Sequence, residues 1–214
     1  MAKLKFKEIF TTAHTGKMEG MVSFSTTSAR NSFCQKQQKT PGSVCQSCYT
    51  TKGFLKTVVN SKKLSGNYDL VTTQLVEWDK IEGIQQLGNT KYIRLEAFGE
   101  LENELQLKNY LALVRKFKKN NFALWTKRTD LLKKVFKTEK KPKNLNILVS
   151  SILVNSPTKL SPELQKVVDK VFTVYTKEEV SKNGININCG SKACLTCKLC
   201  YTKNKVSEIN ELLK

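Results

Sequence analysis

Histidine is nearly absent from this 214-residue chain, which has His14 and no other. Metal sites built from several imidazoles are thereby excluded, and any metal must be held by other donors. Acidic residues are also few: 18 against 37 lysines and arginines, a formal net charge of +19 at pH 7. Such a surface favours polyanions through counterion release, which makes RNA or DNA an expected partner; the plainer alternative is the solvated lysine of a Lys- and Asn-rich chain. No apolar run approaches the roughly 20 residues that cross a bilayer, and no uninterrupted apolar stretch follows the basic start at Lys3, Lys5 and Lys7. Neither a membrane partner nor a secretory leader is expected, and the cytoplasm is the expected compartment. Long repeats and low-complexity tracts are missing too.

What the chain does have is cysteine, seven residues in two groups: Cys34, Cys45 and Cys48 near the N-terminus, and Cys189, Cys194, Cys197 and Cys200 near the C-terminus. In a reducing compartment close spacing of this kind indicates metal binding rather than disulfides, and an odd count leaves one thiol without a disulfide partner. Three thiolates hold a cubane [4Fe-4S] cluster and leave one iron open to a ligand, whereas four close a metal site. The compact C-x2-C-x2-C run at Cys194 to Cys200 is closer to iron-sulfur ligation than to a zinc ribbon, whose cysteine pairs lie farther apart. At the first group spacing leaves iron and zinc both open, because His14 can complete a Cys3His zinc site.

From about residue 90 onward short apolar runs alternate with amphipathic helical patterns, the mark of βα units and a parallel sheet. Strands are expected at Tyr92 to Phe98, Phe122 to Trp125, Leu145 to Val149 and Val171 to Tyr175, with a shorter one at Ile185 to Asn188 and a first one at Met21 to Ser25. Between them the pattern predicts helices carrying Leu107, Tyr110, Leu111 and Val114; Leu131, Leu132, Val135 and Phe136; and Leu164, Val167, Val168 and Val171 after Ser161-Pro162. Two further helical segments are expected around Phe54 to Val59 and around Val71, Leu75, Trp78 and Ile81. The fold class is α/β: a partial or open (β/α) barrel of parallel strands over residues 1–176, with a C-terminal cysteine-rich, cluster-binding segment over residues 177–214.

Loops leaving the C-terminal ends of parallel strands share one rim, where ligands bind. The three-cysteine loop after the first strand, Glu96-Ala97-Phe98-Gly99-Glu100 after the second, and Trp125-Thr126-Lys127-Arg128 after the third are all expected there. Glu96, Gly99, Glu100, Thr126, Lys127 and Arg128 are thus candidate cofactor-binding residues: Gly99 permits close approach to backbone, and Lys127 and Arg128 suit a carboxylate or phosphate.

The ordered set of Cys34, Pro41-Gly42, Cys45-x2-Cys48-Tyr49, Phe98-Gly99-Glu100, Trp125-Thr126-Lys127-Arg128 and Cys194-Leu-Thr-Cys197-Lys-Leu-Cys200 resembles the phage "gene product 88" family over most of residues 20–202. That resemblance implies the cytoplasm of a phage-infected bacterial host and no particular reaction. More distantly, three cysteines after strand one, a Gly-Glu pair after strand two and an added four-cysteine group resemble a reduced radical S-adenosylmethionine enzyme. This second resemblance implies an open cluster on Cys34, Cys45 and Cys48, contact of Gly99 and Glu100 with the amino group of S-adenosylmethionine, an electron donor, and radical cleavage of the sulfonium. The chain departs from the commonest C-x3-C-x2-C spacing and has Ser47 where an aromatic often stands. The alternative reading is a non-catalytic nucleic-acid-binding protein with structural zinc or iron-sulfur sites.

Overall fold

In the computed structural model, which describes residues 4–190 and 192–213, seven strands form one mixed sheet in the order of the chain. These are β1 (Phe10–Thr12), β2 (Val22–Phe24), β3 (Tyr92–Leu95), β4 (Asn121–Thr126), β5 (Leu145–Ser150), β6 (Lys170–Tyr175) and β7 (Glu208–Leu212). Only β1 runs antiparallel to its neighbour, and all later pairs are parallel. The sheet is open among the described residues, with β1 and β7 at its edges. The helices are α1 (Phe6–Ile9), α2 (Ser32–Gln38), α3 (Gly53–Val59), α4 (Lys62–Thr73), α5 (Glu104–Lys116), α6 (Thr129–Val135), α7 (Pro162–Gln165), α8 (Lys177–Asn183) and α9 (Cys194–Cys197). No described helix is long and apolar enough to cross a membrane.

Strand alternation divides the core in two. Phe24, Ile93, Leu95, Phe122, Leu124, Leu145, Ile147 and Val149 face α4 to α7 and meet Val71, Leu107, Tyr110, Leu111, Leu132 and Leu164. The other face carries Tyr92, Ala123, Leu148, Phe172 and Ile209, and what covers it is the C-terminal cysteine segment through Leu195, Leu199, Tyr201 and Val206. Every residue of β5 is buried, as a central strand with both faces covered requires.

Helix starts follow capping chemistry: the side chains of Asn31, Ser61, Asn103 and Thr176 accept N–H bonds at the starts of α2, α4, α5 and α8. Several expected elements have different bounds. The segment around Val71 to Ile81 is not one helix, because the buried Asn109 amide donates to the carbonyls of Val71 and Gln74 and ends α4 at Thr73. Trp78 lies beyond it in a 3-10 turn, its indole donating to Asn109 O at 3.0 Å. Ser161 makes no capping bond, and α7 stops at Gln165, leaving Val167 and Val168 to pack after the helix. Residues Ile185 to Asn188 form no strand; the last strand is Glu208–Leu212, to which Asn188 and Cys189 attach by backbone bonds to Asn210 O. Cys34, expected in a loop, lies on α2.

Candidate functional site

The three-cysteine loop spans the rim where β2 to β5 end. It leaves β2 through Ser25 to Ser28, all buried, and crosses to β5, where Val44 N donates to Ile152 O at 2.9 Å and Val154 N to Gly42 O at 3.1 Å. Gly42 turns the chain there with φ +74°. Cys34 is set by Asn31, which is fully buried: its Oδ1 accepts from Cys34 N at 2.9 Å while its Nδ2 donates to Glu100 O at 2.9 Å. Ser43 Oγ accepts from Cys45 N at 3.1 Å. Cys48 Sγ lies 3.0 Å from Thr50 Oγ1, which in turn bonds Ser28 Oγ. The Tyr49 hydroxyl donates to Ala97 O, tying the loop to the end of β3.

The Glu100 carboxylate is buried at this rim, accepting from Leu101 N at 2.8 Å, Thr126 Oγ1 at 2.5 Å and Lys127 N at 2.7 Å. Burial raises its pKa, with Lys127 pulling the other way. Burial likewise raises the Cys34 thiol well above its ordinary value, followed by the field of Glu100 and of Cys45, against Lys127. Cys45 is raised by burial, opposed chiefly by Lys127. The thiols of Cys34 and Cys45, the Glu100 carboxylate and the Lys127 ammonium therefore stand within one another's electrostatic reach. Cys48 belongs to the same neighbourhood, since its charge acts on both other thiols.

The remaining expected residues at this rim are taken up by the protein itself. Glu96 is buried, holds φ +60° and accepts from Thr26 N, Thr26 Oγ1, Gln106 Nε2 and the Tyr110 hydroxyl. Burial, set against those donors, pushes its pKa up to about 7. Gly99 does permit close approach, but of Thr26 and Glu96: a Cβ there would stand 2.7 Å from Thr26 O and 2.5 Å from Glu96 Oε2. Arg128 pairs with Asp130 at 2.7 Å, donates to Leu101 O and Glu102 O at 3.1 Å, and lies over the Phe33 ring next to Cys34. It braces two loops. His14 is exposed in the β1–β2 hairpin, at the end of β2 opposite the cysteine loop.

The four C-terminal cysteines line one cavity of about 350 Å³ together with Lys17, Lys192, Lys198 and Tyr201. Cys194 and Cys197 sit on α9, one turn apart, and Lys198 at φ +58° turns the chain so that Cys200 returns to the same hollow. Cys189 bridges to β7 beside Glu211, and Lys17 donates to Cys189 Sγ at 3.3 Å and Glu211 Oε1 at 2.7 Å. Burial pushes the Cys200 thiol up to about 12, with the charges of Cys189 and Cys194 adding to it and Arg94 opposing.

Among the described residues no three His, Cys, Asp or Glu side chains are gathered tightly enough to share a single metal ion. A zinc site needs four donors about 2.0–2.3 Å from one point, whereas the thiolates of a cubane each bind a separate iron and spread around a larger body. A shared hollow lined by four thiols offers soft donors that suit either arrangement.

Asn31, the hydroxyl run Ser25 to Ser28, Arg94 and the Lys17–Glu211 pair carry no recognisable spacing. The one signal available was the polar run directly after β2, at the end of a strand where ligands gather. Against known proteins, the profile of the family described as gene product 88 matches residues 3–210, so the chain belongs to that family. No curated protein and no solved structure matches it.

Proposed function

We propose that this gene product 88 family member is a phage iron-sulfur protein resembling a minimal radical S-adenosylmethionine enzyme, its sheet wound as a partial (β/α) barrel. Cys34, Cys45 and Cys48 hold the open [4Fe-4S] centre, and Cys189, Cys194, Cys197 and Cys200 the closed auxiliary one. The observation that carries this reading is the gathering of the first three thiols, Glu100 and Lys127 at the rim where the parallel strands end. When bound, an open-iron centre of this kind would supply the electron that cleaves the sulfonium of a cofactor held there. The chain's own residues orient and charge the site. Asn31 fixes α2, and with it Cys34, against the Glu100 backbone. Lys127 favours the thiolate forms that metal requires. Two donors occupy Glu100 Oε1 and one occupies Oε2, so acceptor capacity is left on Oε2 for a ligand ammonium group.

The test is anaerobic purification with iron and sulfide analysis, followed by spin resonance of the reduced protein with and without S-adenosylmethionine. The ligand is expected to change the signal of the wild type and of Cys197→Ala, and not of Cys34→Ala. Zinc in place of iron, or an unchanged response in Cys34→Ala, overturns the reading.

One observation favours the second reading, a nucleic-acid-binding protein with structural metal. Residues that precede parallel strands share the opposite rim, and there Lys91, Lys118, Lys119, Lys143, Lys203 and Lys205 are exposed. Lys91 and Lys198 stand over the same Tyr92 ring, 5.8 and 5.9 Å from its centre. On this reading RNA or DNA affinity falls steeply with salt, and the slope flattens by just under one unit for each contacting lysine changed to Gln.

A further inference from the structure

The face of the sheet turned away from the helices carries a cation with no carboxylate partner among the described residues. Arg94 pairs in register with Ser23 and Ala123, and its guanidinium lies 4.5 Å from the centre of the Trp125 ring. Trp125 is held edge-on by Phe172 at 4.7 Å. Among the described residues Arg94 forms no ion pair with a carboxylate; Nη1 makes a weak contact with Met18 Sδ at 3.5 Å, and the Tyr201 phenol lies beside the guanidinium without a well-aligned bond. Cys194 and Cys200 lie near enough for their charge to act on it, yet its Nε has no partner.

Six buried side-chain polar atoms lack a hydrogen-bond partner among the described residues, and three of them cluster here: Arg94 Nε, Trp125 Nε1 and Tyr201 Oη. Tyr201 is 2% exposed. A buried donor without an acceptor is unfavourable, so three together call for a ligand. The set is made of donors: a guanidinium fork, an indole N–H that can only donate, and a phenol. The matching ligand has acceptor atoms and negative charge.

We infer that Arg94, Trp125 and Tyr201 form a binding site for an oxyanion, the carboxylate or phosphate of a small ligand, on the inner face of the sheet between the two cysteine groups. The site stands on the orphaned donors alone and does not depend on which metal the cysteines hold. Arg94 supplies charge and the fork, while Trp125 holds the guanidinium flat and adds its own N–H.

The chain has two tryptophans, so the test reads two indole N–H resonances in the full-length protein labelled with nitrogen-15. Trp78, bonded to Asn109 O, is the internal reference, and Trp125→Phe assigns the other signal. Inorganic phosphate and acetate are titrated separately. Saturable movement of the Trp125 signal with either anion, while Trp78 stays still, supports the site and names the headgroup; loose binding to surface lysines moves neither. Arg94→Gln should weaken the affinity at least tenfold, and Tyr201→Phe, which removes one oxygen, several-fold with the Trp78 signal in place. A Trp125 signal that moves with neither anion, or a titration unchanged by both substitutions, overturns the inference.

Discussion

Cys34, Cys45 and Cys48 are held by a polar frame, whereas the segment of Cys189, Cys194, Cys197 and Cys200 is held mainly by apolar packing, with Lys17 on Cys189 and Asn146 on the Cys200 carbonyl as polar ties. Around the first group the contacts are directional: Asn31 to Glu100, Ser43 to Cys45, Thr50 to both Cys48 and Ser28. Around the second, Leu195, Leu199, Tyr201 and Val206 lie on the sheet, and the thiols surround a hollow. Hydrogen bonds fix angles and burial fixes only proximity. A site that must present a vacant corner to a ligand needs the first kind of support, and one that encloses its contents needs only the second.

The strongest way to break this contrast is to remove one ligand from each group. Cys34→Ala and Cys197→Ala should each lose about four irons per chain and leave the other centre's iron in place, as a count of iron and sulfide will show. Loss of both centres from either single substitution would mean that the two groups are one unit. Next in size is the frame itself: Asn31→Ala removes a helix cap and a buried bond to Glu100, and should destabilise the fold by about 3 kcal/mol in a denaturant titration while depleting the first centre only.

Glu96 makes the polar frame pH-dependent on a similar scale. Its folded pKa of about 7 lies above the ordinary 4.5, so the folded state holds the proton more tightly. Its contribution is full below the unfolded value and is lost as pH rises through the folded one, a change on the order of 3 kcal/mol between pH 4.5 and 7. Glu96→Gln should flatten that part of the stability profile. Smaller still is Gly99→Ala, which drives a methyl against Thr26 O and should destabilise by about 1–3 kcal/mol without touching the C-terminal centre. At the bottom, Lys17→Ala breaks a partly exposed pair with Glu211 and should cost less than about 1 kcal/mol, with any spectral change confined to the second centre.

Much of the strand and helix order was legible because β3 to β6 and α5 and α6 are strongly periodic and lie in the core. The β7 strand escaped because Glu208-Ile209-Asn210-Glu211-Leu212 shows a single well-buried residue, Ile209, at an open edge. Asn109 ends α4 from a distance of more than thirty positions in the chain, which local periodicity cannot register. At the rim, Glu100 accepts bonds from Thr126 and Lys127, a meeting legible in the sequence because topology alone brings strand ends to one side. It could not tell that Glu96 and Arg128 spend their bonding on neighbours or that Thr26 and Glu96 fill the space at Gly99, because both are properties of packing. Arg94 was passed over for the same reason in reverse: a lone arginine within a strand looks ordinary until its surroundings are seen to lack any carboxylate.

The β7 strand follows the last cysteine in the chain and pairs with β6, while Cys189 bridges to its far side at Glu211. The C-terminal cysteine loop is therefore clasped at both ends by the sheet it covers. The residues that frame the first group all precede position 155 in the chain, whereas the clasp around the second is complete only with β7. The face of the sheet that carries Arg94 is therefore the last part of the core to be closed.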